Sequence, residues 1–265
     1  MIPKIIHYCW FGNGQMSEKE RKCLDSWKKF CPDYEIVLWN ENNYDVHKNR
    51  FISKAYDEKK WAFVTDYARL DIVYNNGGIY LDTDVEIIKS LDSLLENDAF
   101  MGFEKGRVIA TGLGFGAIKN HPGIKALRDT YNDIEFDTNS KENLNCPALN
   151  SKYLISRGAV MNDQLQIVDG ITLYPTEYFC PLHSTSGEMK ITDNTYSIHW
   201  YSMSWLPETE KKFRLLEQKL SKPFGNNTAH KMIRILDFPF RINKKFKNLG
   251  IKNTIHFIFD KIKSH

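Results

Sequence analysis

The chain has 265 residues, 42% of them apolar, which is enough for one sizeable core and excludes global disorder. It contains no run of about 20 apolar residues, so no transmembrane helix is predicted. The net charge of +3 conceals an asymmetry. Residues 211–265 hold 14 Lys and Arg against 3 Asp and Glu, a net charge of +11, which leaves −8 for residues 1–210.

Two features indicate a cytoplasmic protein. Lys4 and His7 interrupt the apolar N-terminal stretch, which is not typical of a signal peptide. The five cysteines are an odd number without a C-x-x-C pair, which favours buried thiols over a disulfide framework or a zinc site.

The first elements follow a strand–helix–strand order. Ile2 to Trp10 is an apolar run that predicts a buried strand. Ser17 and Glu20 have the spacing of a capping box, and the helix that they begin should stop at Pro32. Glu35 to Trp39 predicts a second strand, so the chain begins like a βα repeat with a parallel sheet.

A second helix is predicted from Lys60 to Asn75, closed by the glycines after it, and a strand follows at Ile79 to Leu81. The later predictions are strands at 99–103, 108–118, 171–174 and 196–200, a helix at 122–131, and a loop at 132–147.

The strongest chemical motif is Asp82-Thr83-Asp84, which directly follows that strand. The carboxyl end of a strand is where open α/β sheets bind ligands. Alternation along a strand would direct Asp82 and Asp84 to one side, where the two carboxylates repel one another unless a divalent cation lies beside them. The motif therefore predicts a site for Mn²⁺ or Mg²⁺ that can bridge to a diphosphate.

The preceding helix places Asp66 and Arg69 on one face, three residues apart. The spacing alone favours a surface ion pair. The alternative is a functional pair, with Asp66 accepting hydrogen bonds from sugar hydroxyls and Arg69 contacting sugar or phosphate oxygens.

Three segments together resemble a known family: IPKIIHYCWFG, KKWAFVTDYARLDIVYNNGGIYLDTDVEI and YSIHWYSMSW. They look like the glycosyltransferases with a DxD-containing sugar-binding region. That family includes bacterial capsular polysaccharide enzymes and the fungal initiating mannosyltransferase, and its core is similar to the glucosyltransferase domain of large clostridial toxins. The resemblance covers residues 2–120 closely, 145–205 loosely, and nothing after about 208.

The resemblance implies roles for residues on the donor side of the site. Tyr8 and Trp10 would contact the nucleotide, with Trp10 stacking on the base. Asp66 and Arg69 would contact the ribose and the donor sugar, which reverses the conclusion from spacing, and Tyr80 would also belong to the donor site.

The resemblance also implies the metal and diphosphate contacts. Asp84 would bind the metal directly, and Asp82 would contact the sugar or the metal through water. His199 would be a third metal ligand, with Ser204 and Trp205 on the β-phosphate.

On the acceptor side the only candidate is Asn150, and it is a weak one. Cys146-Pro147 and Asn150 stand where many members of the family have Gly-Pro and Thr, so the acceptor contact does not transfer directly.

The basic C-terminal stretch is predicted to be a separate segment, residues 209–265, after a catalytic domain of residues 1–208. Its Phe, Ile and Leu alternate with Lys and Arg, as in an amphipathic helical cap or an interfacial anchor for an anionic membrane. No nucleic-acid recognition motif accompanies the charge, so no nucleic-acid partner is expected.

The expected fold is α/β and GT-A-like: a nucleotide-sugar-binding, Rossmann-like mixed sheet flanked by helices, with a basic helical C-terminal segment. The expected function is a retaining, metal-dependent glycosyltransferase. It would take a nucleotide-sugar donor, with UDP-galactose, UDP-glucose or a UDP-N-acetylhexosamine favoured, and build capsular or other surface polysaccharide on a glycan acceptor that a lipid could carry. Its expected place is the cytoplasm, peripheral on the inner membrane face. Two alternatives stay open: a toxin-like or effector-like protein glycosyltransferase, and a non-catalytic membrane-docked scaffold on the same fold.

Overall fold

The computed structural model describes residues 1–104, 107–137, 145–202 and 208–240. The strands are β1 (Ile5–Cys9), β2 (Glu35–Trp39), β3 (Gly78–Tyr80), β4 (Val85–Ile87), β5 (Ala99–Glu104), β6 (Val108–Ile109), β7 (Phe115–Ala117), β8 (Gln166–Val168), β9 (Ile171–Tyr174) and β10 (Ser197–His199). The α-helices are α1 (Glu18–Phe30), α2 (Arg50–Asp57), α3 (Trp61–Asn76), α4 (Pro122–Asp129), α5 (Cys146–Ser156), α6 (Thr176–Phe179), α7 (Glu208–Phe224) and α8 (Asn226–Leu236). None of the helices within these ranges has the length and apolar character to span a bilayer.

The main sheet has the strand order β2–β1–β3–β7–β5–β9–β8, with β6 paired to β5. Strands β2, β1 and β3 are parallel, as are β5 and β9, whereas β7 and β8 run antiparallel to their neighbours. The two faces of the sheet are covered by separate apolar clusters, because successive strand residues alternate: Tyr80 packs with helices α2 to α5, and Ile79 with α1 and α6. The predicted mixed α/β fold is confirmed.

The chain divides into two compact units. The first holds Met1–His183 and Met189–Trp205 and contains the sheet. The second holds Ser184–Glu188 and Leu206–His265; there α7 and α8 pack around Ala229 and Ile233, which are buried. Helices α7 and α8 agree with the predicted helical C-terminal segment, while the predicted domain boundary at 208/209 stays a prediction.

Local rules explain the two helices that position the site. Ser17 and Glu20 form the predicted capping box at the start of α1. Helix α3 ends at Gly77, whose φ of 71° lies in the region that favours glycine. A Cβ there would also come within 2.9 Å of the Pro3 ring.

Two sequence predictions are wrong in their extent. The strand expected at 108–118 is broken into β6, a 3-10 turn (Thr111–Leu113) and β7, with Gly114 at a φ of 116° between them. The loop expected at 132–147 gives way to α5 at Cys146, because the Asn145 side chain accepts a hydrogen bond from Ala148 N and Pro147 fits the first turn.

Candidate active site

Asp82 and Asp84 lie in the turn between β3 and β4, and not in a strand as the alternation argument assumed. The turn is closed by Val85 N, which donates to Asp82 O at 3.0 Å. Beyond it, β4 is held on one edge by α1: Trp27 Nε1 donates to Val85 O at 2.7 Å, and Ile87 N donates to Ser26 Oγ at 2.9 Å. A helix therefore fixes the strand that follows the motif.

The other edge of β4 pairs with β10, and this pairing brings His199 to the aspartates. His199 is opposite Val85 in the antiparallel register. Its Nε2 lies 3.3 Å from Asp84 Oδ1, and one ligand atom from each of Asp82, Asp84 and His199 lies within 4.8 Å of the others. The structure thus brings together the three predicted metal ligands from positions more than a hundred residues apart.

The segment after His199 wraps around Asp84. Trp200 N donates to Asp84 O at 2.9 Å, and Ser202 N donates to Asp84 Oδ2 at 2.8 Å. Between them Tyr201 has a φ of 50°, which is rare for an aromatic residue and turns the chain back toward the carboxylate. The sequence analysis assigned no role to Tyr201 or Ser202, and a single sequence does not reveal a left-handed residue that is not glycine.

Arg69 contacts both Asp66, its neighbour in α3, and the Asp82-Thr83-Asp84 motif. Its Nη2 lies 3.0 Å from Asp66 Oδ1 and 3.3 Å from Asp82 Oδ1, with the side chain only 5% exposed. The guanidinium lies over the ring of Tyr80, whose hydroxyl donates to Asp82 Oδ1 at 3.0 Å. Asp66 and Arg69 are therefore not a surface ion pair, and four predicted donor-site residues form one contiguous group.

The surroundings shift the pKa values of the ionisable groups of the site in different directions. Burial raises the pKa of Asp66 to about 6 against the pull of Arg69, and burial also raises the pKa of Asp82. Burial would raise the pKa of Asp84 too, but His199 and the Ser202 N–H hold it below its usual range. Burial lowers the pKa of His199, yet the facing Asp84 carboxylate outweighs burial and the pKa rises to about 9.

The donor set fits a divalent cation. Two carboxylates and one imidazole converge, and Mn²⁺ and Mg²⁺ accept carboxylate oxygens. Three carboxylates share the site with one guanidinium and one imidazole, so its net charge is negative even when the imidazole is protonated. The buried Nδ1 of His199 also has no hydrogen-bond partner among the described residues. Asp82, Asp84 and His199 therefore form a candidate metal site.

A backbone contact that the sequence analysis missed adjoins Asp82. A Cβ on Gly112 would come within 2.6 Å of Asp82 Oδ2 and 3.1 Å of Arg69 Nη1. Glycine at this position lets the 3-10 turn approach the two charged groups. The sequence contains no local pattern that indicates this approach, because it depends on tertiary contacts.

Asn150 lies in α5, 1% exposed, behind this turn. Its Nδ2 lies 3.3 Å from Thr111 Oγ1 and 3.1 Å from Cys146 Sγ, while its Oδ1 has no partner among the described residues. The Tyr131 hydroxyl, close enough to feel the charge of Asp66, likewise has none within the described part of the chain. The acceptor-side role of Asn150 stays a prediction.

The predicted nucleotide contacts are placed only in part. Trp10 directly follows β1, half-buried, and its Nε1 donates to Gly14 O at 2.6 Å. Tyr8 is half-buried and packs edge-on against Trp27. Ser204 and Trp205 lie outside the described residues.

Comparison with known proteins finds several glycosyltransferases among the matches. Residues 17–101 match the family model described as a glycosyltransferase sugar-binding region containing a DXD motif. Inositol phosphoceramide mannosyltransferase 3 of Schizosaccharomyces pombe is 33% identical over 133 residues, 46% of this chain and 35% of that protein. An uncharacterized glycosyltransferase, L373, of Acanthamoeba polyphaga mimivirus is 25% identical over 218 residues, 78% of this chain and 85% of that protein.

A solved structure, the PaToxG glycosyltransferase, aligns with 58% of this chain and 69% of its own at 22% identity and a TM-score of 0.48. The chain spans about a third of the length of the fission-yeast mannosyltransferase. The matched segment contains α3, β3 and the DxD turn, the elements that carry Asp66, Arg69, Asp82 and Asp84. Over that segment the chain is similar to the glycosyltransferases that have a sugar-binding region with a DXD motif.

Proposed function

We propose that the chain transfers a sugar from a nucleotide-sugar donor, with UDP-sugars favoured, to a glycan acceptor in the synthesis of a surface polysaccharide, with retention of anomeric configuration. The observation that carries the proposal is that Asp82 belongs to two groups of side chains at once. The Asp82–Asp84–His199 cluster can hold a cation, and the Asp66–Arg69 pair reaches the same carboxylate. A diphosphate and the sugar attached to it need such neighbouring sites.

Asp82, Asp84 and His199 would hold Mn²⁺ or Mg²⁺. When bound, the ion would offset the negative charge that develops on the departing diphosphate. Arg69 is fixed by Asp66, Asp82 and the Thr65 carbonyl, so its charge needs no reorganisation to face the donor. Asp66 would accept hydrogen bonds from donor hydroxyls.

Retention is proposed because the carboxylates of the site are already engaged. Asp66 and Asp82 contact Arg69, while Asp84 contacts His199 and Ser202 N–H, which favours none of them as a nucleophile or as the free general base that an inverting transfer needs. The acceptor hydroxyl would then attack the anomeric carbon from the leaving-group side. Its proton would pass to the diphosphate oxygen as the carbon–oxygen bond of the donor breaks.

The test is donor hydrolysis by the purified chain across UDP- and GDP-sugars, with Mn²⁺, Mg²⁺ or a chelator present. GDP-mannose is included because one relative is named a mannosyltransferase. We expect hydrolysis of a UDP-sugar that requires the metal. Asp84→Asn should lower the rate roughly a thousandfold, in line with several kcal/mol of lost charge stabilisation.

Asp57→Asn, on the exposed side of α2, is the matched control and should hydrolyse donor normally. Near-normal activity of Asp84→Asn with saturating Mn²⁺ would show the metal assignment to be wrong. Metal binding without hydrolysis or transfer from any donor would support the non-catalytic scaffold instead. Transfer to protein but not to glycan acceptors would support the effector-like alternative.

A further inference from the structure

The second unit exposes large apolar side chains where α8 ends. Ile235 is 74% exposed, Leu236 49%, Phe238 54% and Phe240 57%. These four residues are called the C-terminal apolar patch. Single exposed apolar residues are ordinary, whereas four within six positions mark a surface that meets something other than water.

Ile235 and Leu236, the patch residues in α8, are not on the surface by which α8 packs in its own unit. Ala229 and Ile233, one helical turn apart, are buried at 0% and 5% exposure where α8 contacts α7. The ring of Phe240 meets the ring of Phe213 in α7 at a centroid distance of 5.3 Å, which supports the patch from behind. Packing between the two helices is therefore satisfied without covering the patch.

The net charge around the patch is positive, although Asp237 lies within it. Lys231 and Arg234 are exposed on the same helix, and residues 208–240 contain seven Lys and Arg against four Asp and Glu. One of those acids, Glu217, is turned inward, with its side chain 6% exposed and paired to His230 Nδ1 at 2.8 Å. In sequence, residues 241–265 add seven basic residues and one acidic residue.

We propose that the C-terminal apolar patch and the basic residues beside it dock on an anionic lipid surface. Apolar side chains of an interfacial segment enter the boundary between headgroups and acyl chains, while Lys and Arg remain among anionic headgroups. A second copy of this chain fits the patch less well, because it would bring like charges together. Such docking would hold the chain at a membrane face, as the sequence analysis expected.

The experiment is flotation of the full chain with vesicles of phosphatidylcholine alone, or of phosphatidylcholine mixed with phosphatidylglycerol. We expect binding to the anionic vesicles only. Ile235→Ser with Phe238→Ser should reduce partitioning at least tenfold, roughly the effect of exposing part of two apolar side chains. Lys231→Gln with Arg234→Gln should reduce it by about fivefold per charge, and salt near 1 M should weaken binding of the wild type.

Matched controls lie in the first unit. Ile167→Ser removes an apolar side chain that is also 74% exposed, and Lys152→Gln removes an exposed charge of α5. Both should float like the wild type.

Equal binding to neutral vesicles, or unchanged binding of both double variants, would overturn the proposal. The proposal would also be overturned if the chain does not bind vesicles and instead forms dimers that the variant Ile235→Ser with Phe238→Ser does not form. The patch would then be the contact with a second copy. The two double variants change exposed positions only, and their melting curves check that they fold.

Discussion

Gly112 provides a test of the site at the scale of one residue. Its backbone is not in the left-handed region, so alanine is conformationally allowed, but the new Cβ would come within 2.6 Å of Asp82 Oδ2. We expect Gly112→Ala to displace Asp82 from Arg69 and to lower kcat/KM for donor hydrolysis by roughly tenfold, about 1.4 kcal/mol. Kinetics with Mn²⁺ measure the effect. Gly14→Ala, which meets nothing within 4 Å, is the control and should behave like the wild type; equal kinetics for both variants would remove Gly112 from the site.

His7 predicts how stability depends on pH. Its Nε2–H donates to Gly77 O at 2.8 Å and its Nδ1 accepts from Trp39 Nε1 at 3.1 Å, a pairing that needs the neutral ring. Burial lowers the pKa of His7 below its unfolded value of 6.5. The neutral ring therefore contributes stability above pH 6.5, and that contribution is lost as the pH falls through the lowered folded-state pKa.

Urea unfolding of the wild type and His7→Gln between about pH 7.5 and pH 5 measures this contribution. The free energy of unfolding of the wild type should fall more steeply toward acid than that of the variant. His47→Gln, at an exposed histidine, should retain the wild-type slope. A gap between wild type and His7→Gln that does not change with pH would contradict the prediction.

At the scale of elements, α1 replaces a strand on one edge of β4. Ser26 accepts the hydrogen bond of Ile87 N, and β10 supplies partners on the opposite edge. Ser26→Ala should leave a buried N–H unpaired and lower the free energy of unfolding by about 1–3 kcal/mol. Denaturation in urea tests it against Ser156→Ala, whose hydroxyl donates to Tyr153 O at an exposed helix end and whose loss should cost under about 0.5 kcal/mol. Equal stability of the two variants would mean that β4 does not depend on α1.

At the scale of the whole molecule, the sequence predicted the helices and strands that hydrophobic periodicity and helix caps determine. Helices α1 and α3, strands β1 to β3 and the late strands β9 and β10 follow from such local patterns. The association of Asp82, Asp84 and His199 followed from resemblance, since nothing local to His199 indicates that its strand will pair with β4. The left-handed Tyr201 and the close approach of Gly112 depend on tertiary contacts, and a single sequence contains no local pattern for either.

The pairing of β10 with β4 has a consequence for the order of events during synthesis. Ser202 follows Asp84 by 118 residues, so on a ribosome the carboxylates emerge on the order of ten seconds before the residues that enclose them. Until then the growing chain presents two of the three candidate metal ligands, without the imidazole. Only a chain elongated past β10 can assemble the complete candidate ligand set, and a protease cut between the two strands would leave its halves joined by noncovalent contacts alone.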